Sequence, residues 1–492
     1  MPSSPDNLYT AAQTRELDRI TIESGYVPGY TLMGRAGQAV FDHLRLQWPD
    51  ARRITILCGA GNNAGDGYVI ARLAREAGCN SHVMYLSEPE KLSGDAKTAW
   101  QDCIKADVAI TTYSAEGLEG SDVIVDALLG TGLDREVTGS WAEAIDDMNQ
   151  HPMPVIAVDI PSGIRADTGH VLGNAVHAAI TVTFIGMKRG LLTGQAPDFT
   201  GQLVLESLEV PDEVYQQVPR DCQLLTAALL DCLPVRARTS HKGSNGHVLV
   251  VGGNYGFAGA ALMVGQAALR SGAGLVSIAT RSEHVVAMVS AQPELMVHGI
   301  AQQNREGRRQ LSALLRRCTH VVIGPGLGQD EWSSSCLDVV LESDKPVVID
   351  ADALNLLAQE PRTGSNHVLT PHAGEAARLL GCSITEVNMD RFHAVHHLQQ
   401  RYGGVGVLKG AGTLVSGDST AVCDRGNPGM ASGGMGDMLS GVIGGLMAQG
   451  LSLEDAARLG VWVHAMAGDQ AASKGERGTI STDLLPSIRL LL

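Results

Sequence analysis

The sequence predicts an α/β protein with two domains, each built on a largely parallel β-sheet with helices on both faces. Short apolar runs, each followed by a glycine- or aspartate-containing loop and a helical pattern, recur in both halves. The length of 492 residues exceeds what one hydrophobic core usually supports and suggests about two to four domains. The composition agrees, because 44% of the residues are apolar and only 4% aromatic, while 58 are glycines that suit tight strand-to-helix turns.

Charge and cysteine content restrict the classes of function. The formal charge of −16 argues against a nucleic-acid or anionic membrane surface, so a phosphate site must be built locally from backbone amides and a few basic side chains. Nine cysteines without a CxxC pair argue against a disulfide framework and a structural zinc site. The N-terminus MPSSPDN lacks a signal-peptide pattern, and no apolar run approaches the ~20 residues that span a bilayer. We therefore expect a cytoplasmic protein with reduced thiols.

The first half begins with two helices and continues with a βαβ unit. Thr10 and Gln13 form a capping box for the first helix, and a second helix covers roughly residues 31–47. The run RITILCGAGNNAGDGYVIARLAREAG then gives a strand that ends near Cys58, a glycine-rich turn, a helix from Gly67 and, beyond it, the strand SHVMYL. The glycine spacing does not match GxGxxG, so the Rossmann dinucleotide fingerprint is not met.

Polar side chains lie in that glycine-rich turn. Asn62, Asn63 and Asp66 are expected at the carboxyl-end edge of the sheet, where open α/β sheets bind ligands. The alternative is that asparagine and glycine simply shape the turn.

Two further strand ends repeat the arrangement. Asp126 ends the strand in DVIVDALLGTGLDRE, and Asp159 ends the strand in PVIAVDIPSG, with Ser162 just beyond it. Oxygen ligands from Asn63, Asp126 and Ser162 would suit a hard monovalent or divalent cation. Alternatively, each of them could cap the helix that follows.

A boundary between the domains is predicted after the strand in GQLVLESLEVP. Proline and polar residues accumulate over residues 213–246, where no strong strand appears, and we place the boundary within residues 217–226. The predicted domains are therefore residues 1–217 and 226–492.

The second half restarts with strand, glycine turn, helix and strand in GHVLVVGGNYGFAGAALMVGQAALRSGAGLVSIAT. An apolar strand and a loop follow in each of THVVIGPGLG, PVVIDADALN, HVLTPHAGEAARLL and GVGVLKGAGTLVSG. A helix over about residues 453–473 and a short terminal helix complete the domain. The alternation predicts a second, largely parallel sheet.

The glycine-dense run GNPGMASGGMGDMLSG, residues 426–441, carries one acid, Asp437, and an apolar helical pattern follows from Met438. Glycines allow several backbone amides to approach a phosphate closely at a helix N-terminus. An acidic side chain there would repel the phosphate, so its presence favours a catalytic role, such as taking a proton from a hydroxyl that is about to be phosphorylated. The alternative is a flexible loop with a helix-capping aspartate. No GK dipeptide occurs, which excludes a Walker A loop.

Other strand ends of this half carry further candidates. Lys409 precedes a glycine turn and is placed to meet phosphate or the ribose region of a nucleotide, although a lone strand-end lysine is usually only solvated. His372 lies at a strand–helix junction and is either structural or part of the crevice. Asp350 and Asp352 could equally bind a cation or cap a helix.

The chain resembles the bifunctional NAD(P)H-hydrate repair enzymes over nearly its whole length. The first half is similar to the NAD(P)HX epimerase or YjeF N-terminal domain, a Rossmann-like three-layer αβα sandwich, through GNNAGDG, DALLGTGLDRE and VDIPSG. The second is similar to the ADP- or ATP-dependent NAD(P)HX dehydratase, a ribokinase-like αβα fold, through GNYGFAGAA, GPGLG, DADALN, LTPHAGE, LKGAGT and GNPGMASGGMGD.

The resemblance implies which residues bind which molecule. In the first half, the hydrated dinucleotide would be bound by Asn62, Asn63, Ala64, Gly65, Asp66, Gly130, Thr131, Gly132, Leu133, Asp134, Arg135, Glu136 and Asp159. A potassium ion would be held by Asn63, Asp126 and Ser162. In the second half, NAD(P)HX would be bound by Ala260, Gly326, His372 and Asp437, and the adenine nucleotide, with Mg²⁺ expected beside it, by Lys409, Gly410, Ala411, Gly412, Thr413 and Gly436.

The implied chemistry is phosphorylation used to remove water. Asp437 would take the proton of the C6 hydroxyl as this attacks ADP or ATP, and nitrogen lone-pair donation would then expel phosphate and regenerate NAD(P)H. The first half would interconvert the R and S epimers, with Asp159 as the candidate acid/base. We expect no nucleic-acid or membrane partner, and we expect the protein to form a homo-oligomer.

Two positions depart from the family pattern, and two other functions compete. Ala64 stands where a glycine is expected and should be tolerated unless its φ is positive, while Met435 is a candidate to narrow the nucleotide pocket.

The nearest rival function is a ribokinase-like small-molecule kinase, such as a hydroxymethylpyrimidine kinase, fused to a binding domain. The other treats the first half as a non-catalytic protein- or RNA-binding scaffold.

Overall fold

In the computed structural model, which describes residues 6–300 and 305–492, the chain divides into two units between Gln223 and Leu224. The first five residues of the N-terminal segment MPSSPDN lie outside the described residues. None of the helices in the described part of the chain is both long and apolar enough to cross a membrane.

The strands of the first unit are, in chain order, β1 (Asn7–Tyr9), β2 (Arg53–Cys58), β3 (Asn80–Tyr85), β4 (Ala109–Thr112), β5 (Val123–Ala127), β6 (Val155–Val158), β7 (Ile180–Phe184), β8 (Met187–Lys188), β9 (Gln202–Glu206) and β10 (Cys222–Leu224), which runs across the boundary. Its helices are α1 (Ala11–Glu23), α2 (Gly29–Gln47), α3 (Asn62–Glu76), α4 (Gly94–Lys105), α5 (Ser140–Gln150), α6 (Pro197–Thr200) and α7 (Asp212–Gln217).

Seven parallel strands form the sheet of this unit, in the order β4-β3-β2-β5-β6-β7-β9. Both faces of the sheet are covered. In β5, Val123 and Val125 belong to one hydrophobic cluster with α2, α3 and α4, whereas Ile124 belongs to another with α5. Because successive side chains of a strand point to opposite faces, these two clusters are the two interfaces of an αβα sandwich.

The strands of the second unit are β11 (His247–Val251), β12 (Leu275–Thr280), β13 (Met296–Gly299), β14 (His320–Ile323), β15 (Val347–Ile349), β16 (His367–Leu369), β17 (Val405–Leu408), β18 (Thr413–Ser416) and β19 (Thr420–Cys423). Its helices are α8 (Ala258–Arg270), α9 (Val285–Ala291), α10 (Arg305–Leu315), α11 (Glu331–Leu341), α12 (Ala351–Gln359), α13 (Ala373–Leu380), α14 (Ile384–Met389), α15 (Arg391–Tyr402), α16 (Met435–Ala448), α17 (Leu453–Ala472) and α18 (Leu484–Leu491).

The sheet of the second unit is mainly parallel, as predicted. Its order is β13-β12-β11-β14-β15-β16-β17-β18-β19, and only β18 and β19 run antiparallel to their neighbours. Consecutive residues of β11, Val248 and Leu249, are both fully buried, so the sheet is covered on both faces. One of these faces packs against α8, α16, α17 and α18.

Helix starts are where the sequence prediction was wrong. The capping box of α1 is confirmed, but α3 begins at Asn62 rather than at Gly67. Gly65 and Gly67 of this run serve packing instead of a turn, because a Cβ atom at Gly67 would lie 2.8 Å from the Sγ atom of Cys58 and one at Gly65 would lie 2.9 Å from Cα of Ala96. Helix α3 can therefore lie unusually close to β2 and α4.

Three smaller differences complete the comparison. Helix α16 begins at Met435, three residues before the predicted apolar pattern, and α2 begins at Gly29 rather than at residue 31. The short strand β10 lies in the segment where no strong strand was predicted. Ala64 is inside α3, outside the left-handed region, so its methyl group is tolerated as expected.

Candidate active sites in the two units

A cavity of about 560 Å³ opens at the carboxyl ends of the first unit's parallel strands. Its lining includes most of the dinucleotide-binding residues predicted for this half: Asn62, Asn63, Asp66, Gly130, Thr131, Gly132, Leu133, Asp134, Arg135 and Asp159. Three predicted residues, Ala64, Gly65 and Glu136, are not part of the lining, and the first two are buried inside α3. The start of α3 brings the backbone amides of its first turn to this cavity, where they have no partner within the helix.

Asp159 is fixed by a buried lysine. The residue follows β6 directly and has a φ of 67°. Its Oδ1 atom accepts hydrogen bonds from the Nζ atom of Lys188 and from the hydroxyl of Thr183, the latter at 3.1 Å. Lys188 is only 1% exposed, and its remaining donors reach the Thr183 hydroxyl at 3.0 Å and the carbonyl of Phe184 at 2.9 Å. The ammonium is therefore fully paired, and its ion pair with Asp159 holds that carboxyl group in place.

Two more carboxyl groups line the same cavity. Burial raises the pKa of Asp18 to about 6, and the charge of Asp159 adds to this effect while Lys188 opposes it. The pKa of Asp66 is raised well above its usual range by burial and by the charges of Asp159 and Asp18. The cavity thus combines a carboxylate held by an ammonium with two acids that burial drives towards the neutral form.

The predicted cation ligands lie together beside this cavity. The fully buried carboxyl of Asp126 accepts hydrogen bonds from the Ser162 hydroxyl at 2.6 Å and the Ser162 amide at 2.8 Å. Burial nevertheless raises the pKa of Asp126 to about 6, against those hydrogen bonds. The buried side-chain Nδ2 atom of Asn63 has no hydrogen-bond partner, and Gly130 lies against this side chain. A hard monovalent cation would be bound by the side-chain oxygens of Asp126, Ser162 and Asn63, a donor set that suits it, whereas the unpaired Asn63 Nδ2 can only donate to an acceptor.

In the second unit, parallel strands β14, β15, β16 and β17 bring the predicted residues to one edge of the sheet. Gly326 follows β14, Asp350 follows β15, His372 follows β16 and Lys409 follows β17. The amide of Lys409 donates to the carbonyl of Pro371 at 2.9 Å, so the ends of β16 and β17 are tied together.

Asp437 lies in the first turn of α16, where its carboxyl group faces the same edge of the sheet. Gly434 caps the helix with a φ of 87°, a left-handed conformation that glycine adopts without cost. Burial raises the pKa of Asp437 to about 6, and the charge of Asp350 adds to this effect while Lys409 opposes it. A carboxyl group at the positive end of a helix that still has a raised pKa is suited to act as a general base near neutral pH.

Lys409 is held in an ion-pair network. Its Nζ atom lies 2.8 Å from Oδ1 of Asp350 and 4.0 Å from Oε2 of Glu375, and the hydroxyl of Ser440 donates to the other Asp350 oxygen at 2.7 Å. Burial opposes the ammonium, but these carboxylates outweigh it and raise the pKa of Lys409. A Cβ atom at Gly436 would lie 3.1 Å from the Nζ atom, so the lysine reaches the start of α16.

The two aspartates left open by the sequence do not cap α12 through their side chains. Asp350 is at the N-cap position but bonds to Lys409 and Ser440, and Asp352 accepts from the amide of Gly328 at 2.8 Å. His372, in contrast, is a helix cap, because its Nδ1 atom accepts from the amide of Gly374 at 3.0 Å. Burial, then Lys409, lower the pKa of His372, which agrees with a neutral ring.

The structure also brings together Ala260 and Gly326. A Cβ atom at Gly326, whose φ is 59°, would lie 3.1 Å from that of Ala260 and 2.7 Å from that of Phe257. Helices α8 and α16 pack side by side in the same direction, since Gly434 contacts Met263 while Gly441 contacts Val264 and Ala267. The N-terminal turns that carry Ala260 and Asp437 are therefore neighbours.

The remaining predicted residues form a hairpin and a core contact. Residues Lys409 to Thr413 connect antiparallel strands β17 and β18, with the Thr413 hydroxyl donating to the carbonyl of Gly410 at 2.9 Å. The side chain of Met435, the candidate to narrow the nucleotide pocket, is buried in the hydrophobic core of this unit.

Sequence reasoning missed Asp18 and Lys188. A signal existed for each of them. Asp18 continues the stripe of Ala11, Thr14 and Thr21 on the inward face of α1, and Lys188 directly follows an apolar strand pattern, where a lysine is rarely buried without a partner.

Comparison with known proteins gives the family of both units. Residues 248–489 match the family model described as NAD(P)H-hydrate dehydratase, and residues 29–190 match that of the YjeF-related protein N-terminus. The bifunctional NAD(P)H-hydrate repair enzyme Nnr of Coxiella burnetii is 50% identical over 489 residues, which cover 99% of each chain. The protein of the same name from Escherichia coli is 45% identical over 493 residues, with 100% of this chain and 95% of that protein covered.

A solved structure agrees for the second unit. The ADP/ATP-dependent NAD(P)H-hydrate dehydratase from Bacillus subtilis, co-crystallized with ATP/Mg²⁺, is 28% identical, with a TM-score of 0.50, and covers 55% of this chain and 96% of its own. With two family models in order along the sequence and full-length relatives of this identity, the chain belongs to the family of bifunctional NAD(P)H-hydrate repair enzymes.

Proposed function

We propose that this chain repairs hydrated nicotinamide dinucleotides, with an epimerase domain over residues 1–217 and a dehydratase domain over residues 226–492. The first domain interconverts R- and S-NAD(P)HX. The second dehydrates the S epimer to NAD(P)H at the expense of ADP or ATP. The observation that carries the dehydratase half is Asp437, a partly buried carboxyl group with a raised pKa in the first turn of a glycine-preceded helix.

In the dehydratase, the substrate hydroxyl is the nucleophile and Asp437 takes its proton. The C6 hydroxyl oxygen attacks the terminal phosphoryl group, whose bond to the departing nucleotide breaks. Backbone amides around Gly434 and Gly436 stabilise the charge on the transferred group. The ring nitrogen then donates its lone pair to C6, phosphate leaves with the C–O electron pair, and loss of a proton restores the dihydronicotinamide.

The other residues of this half position the two substrates. Ala260, Gly326 and His372 contact NAD(P)HX, and the hairpin from Lys409 to Thr413, with Gly436, contacts the adenine nucleotide. Mg²⁺ bound with the nucleotide would supply charge neutralisation, and the carboxylates of Asp350 and Glu375 offer the oxygen ligands it prefers.

In the epimerase, Asp159 serves as acid/base at C6 and the cavity residues already named bind the dinucleotide. The choice of Asp159 is supported by its place in the cavity and by the lysine that holds its carboxyl group in position. Potassium held by Asn63, Asp126 and Ser162 would neutralise a buried carboxylate beside the binding loop, which the donor set described above supports. A cytoplasmic location and a homo-oligomeric assembly complete the proposal, and light scattering after size-exclusion chromatography measures the latter.

One assay tests the whole proposal. The protein is mixed with both NADHX epimers and ADP, and in a second run with ATP, while the absorbance of NADH and the release of free phosphate are followed. We expect complete conversion to NADH with at least one nucleotide. A small-molecule kinase fused to a binding domain would instead accumulate a stable phosphorylated product, and failure to form NADH with either nucleotide would contradict the dehydratase assignment.

A further inference from the structure

We propose that Asp18 is a second catalytic residue of the epimerase step, acting as the general acid at the C6 hydroxyl while Asp159 acts as the base. The inference rests on the proposed epimerase function and adds to it a residue on α1, outside every motif of the chain that resembles the family.

Asp18 is placed to reach a ligand in the cavity. Asp18 lies on the inward face of α1, and both Asp18 and Thr14, one turn before it, line the cavity that contains Asp159. The other acids of this helix behave differently. Glu16 and Glu23 are both paired with Arg19 on the exposed side.

The Asp18 carboxyl group has no structural task. Within the described residues it is partly buried and makes no hydrogen bond and no ion pair, whereas the Asp159 carboxyl is held by Lys188 and Thr183. Partial burial weakens the hydration of a polar group that has no partner in its own chain, and a ligand in the cavity would offer it one.

The two carboxyl groups differ in what surrounds them. Asp159 is held by the Lys188 ammonium, whereas Asp18 has no such partner and burial raises its pKa to about 6, which suits a group that donates a proton. Asp66 also faces the cavity, where burial and then the charges of Asp159 and Asp18 raise its pKa well above its usual range. The charged groups around Asp18 are Arg15 on its own helix and, on the elements opposite, Asp66, Asp95, Asp134, Arg135, Asp159 and Lys188.

The step balances without any co-reactant. The C6–O bond breaks, its electron pair leaves with the oxygen, and the proton of Asp18 completes a water molecule. The lone pair of the ring nitrogen meanwhile forms a double bond to C6. Water then adds to the opposite face of C6, the double-bond pair returns to nitrogen, and the proton of this water goes to Asp159. Solvent returns the proton from Asp159 to Asp18 for the next turnover.

The decisive experiment uses the full chain, both NADHX epimers and ADP. The wild type should convert both epimers to NADH. The isosteric variant Asp18→Asn should consume the S epimer at the wild-type rate and then stop, with R-epimer consumption reduced by about 100-fold or more, the usual size of a general-acid contribution. Glu16→Gln is the matched control on the same helix and should behave as the wild type.

The pH profile separates catalysis from structure. With an excess of the Asp159→Asn protein supplying dehydratase, the R-epimer rate of the wild type should fall as the pH rises above about 6, because Asp18 then loses its proton. Asp18→Glu should retain part of the R-epimer activity and should shift the pH at which this rate has fallen to half.

Each result has one meaning. An Asp18→Asn protein that consumes the R epimer normally overturns the proposal. A slow Asp18→Asn protein combined with an Asp18→Glu profile identical to the wild type also overturns it, because the residue then acts only through structure. A wild type that leaves the R epimer untouched contradicts the epimerase function itself.

Discussion

Asp18 and Asp437 show how one environment can serve opposite roles at the scale of a single residue. Burial raises the pKa of each carboxyl group to about 6, and neighbouring carboxylates add to the effect. Asp18 must be protonated to act as an acid, whereas Asp437 must be ionised to accept a proton. The two steps should therefore respond to pH in opposite directions.

Removing the proposed base should stop the dehydratase. Asp437→Asn keeps the size of the side chain but cannot accept the hydroxyl proton, so NADH formation from S-NADHX should fall by about 100-fold or more. Nucleotide binding, measured by calorimetry, should be nearly unchanged. Asp418→Asn, in the exposed β18–β19 turn, is the control and should retain full turnover. Normal turnover by Asp437→Asn would show that another group takes the proton.

The pH dependence of the dehydratase follows from the same residue. Because the base form of a group with a pKa of about 6 is lost as the pH falls, kcat/KM for S-NADHX should be level near pH 8 and should decline below about pH 6. Asp352→Asn should move the midpoint to lower pH, since the charge of Asp352 contributes to the raised pKa of Asp437. A rate that rises below pH 6 would be incompatible with a general base at this position.

Single residues also show what the sequence could reveal. Asp126, Asp159, Asp350 and Lys409 were located because each directly follows or ends an apolar run, and a parallel sheet brings such ends to one edge. The Asp159–Lys188 pair could not be located in this way, because it joins residues 29 positions apart through a short strand. The inward position of Asp18 could not be predicted either, because a lone acid on an amphipathic helix normally faces solvent.

At the scale of elements, glycines that look like loop residues are packing residues. The starts of α3 and α16 were predicted late because glycine and asparagine disfavour helices, yet in both helices glycine allows close contact with a neighbour. Strand positions were predictable because apolar runs mark them directly. Helix starts in glycine-rich segments depend on tertiary contacts, which the local sequence does not contain.

The contact between α8 and α16 gives a stability prediction. A Cβ atom at Gly441 would lie 2.4 Å from the carbonyl oxygen of Val264, so Gly441→Ala must push the helices apart and should cost about 1–3 kcal/mol. The control is Gly259→Ala in the first turn of α8, where nothing lies within 4 Å and alanine favours the helix. Thermal or denaturant unfolding of both variants measures the difference, and equal stability would show that the two helices can separate without cost.

At the scale of the whole molecule, the two steps belong to different units with separate cores. The product of the first unit is the substrate of the second, and it is a soluble dinucleotide. Neither proposed set of catalytic residues contains a residue from the other unit. Each step should therefore survive the loss of the other.

Mixing two variants that each lack one of the two activities should restore complete repair. Asp437→Asn alone should form no NADH, and Asp159→Asn alone should use only the S epimer. Together, the first protein supplies S-NADHX by epimerisation and the second converts it, so both epimers should be consumed. The measurement is NADH yield from the epimer mixture with ADP. If the mixed proteins leave the R epimer behind, the S epimer does not pass between molecules, or Asp437 contributes to epimerisation.

The left-handed backbone of Asp159 restricts which residues can ever occupy that position. Aspartate and asparagine are several-fold enriched at positive φ, whereas alanine there costs about 1–2 kcal/mol and would also leave the buried Lys188 ammonium without its carboxylate. Alanine scanning would consequently mix backbone strain with any chemical effect. Asparagine also removes the charge, but it avoids that strain and its side-chain oxygen can still accept from Lys188, so it is the informative replacement. For the same reason, a descendant that lost the epimerase reaction would still be expected to drift only to asparagine or glycine at residue 159, so invariance of this position would record folding as much as catalysis.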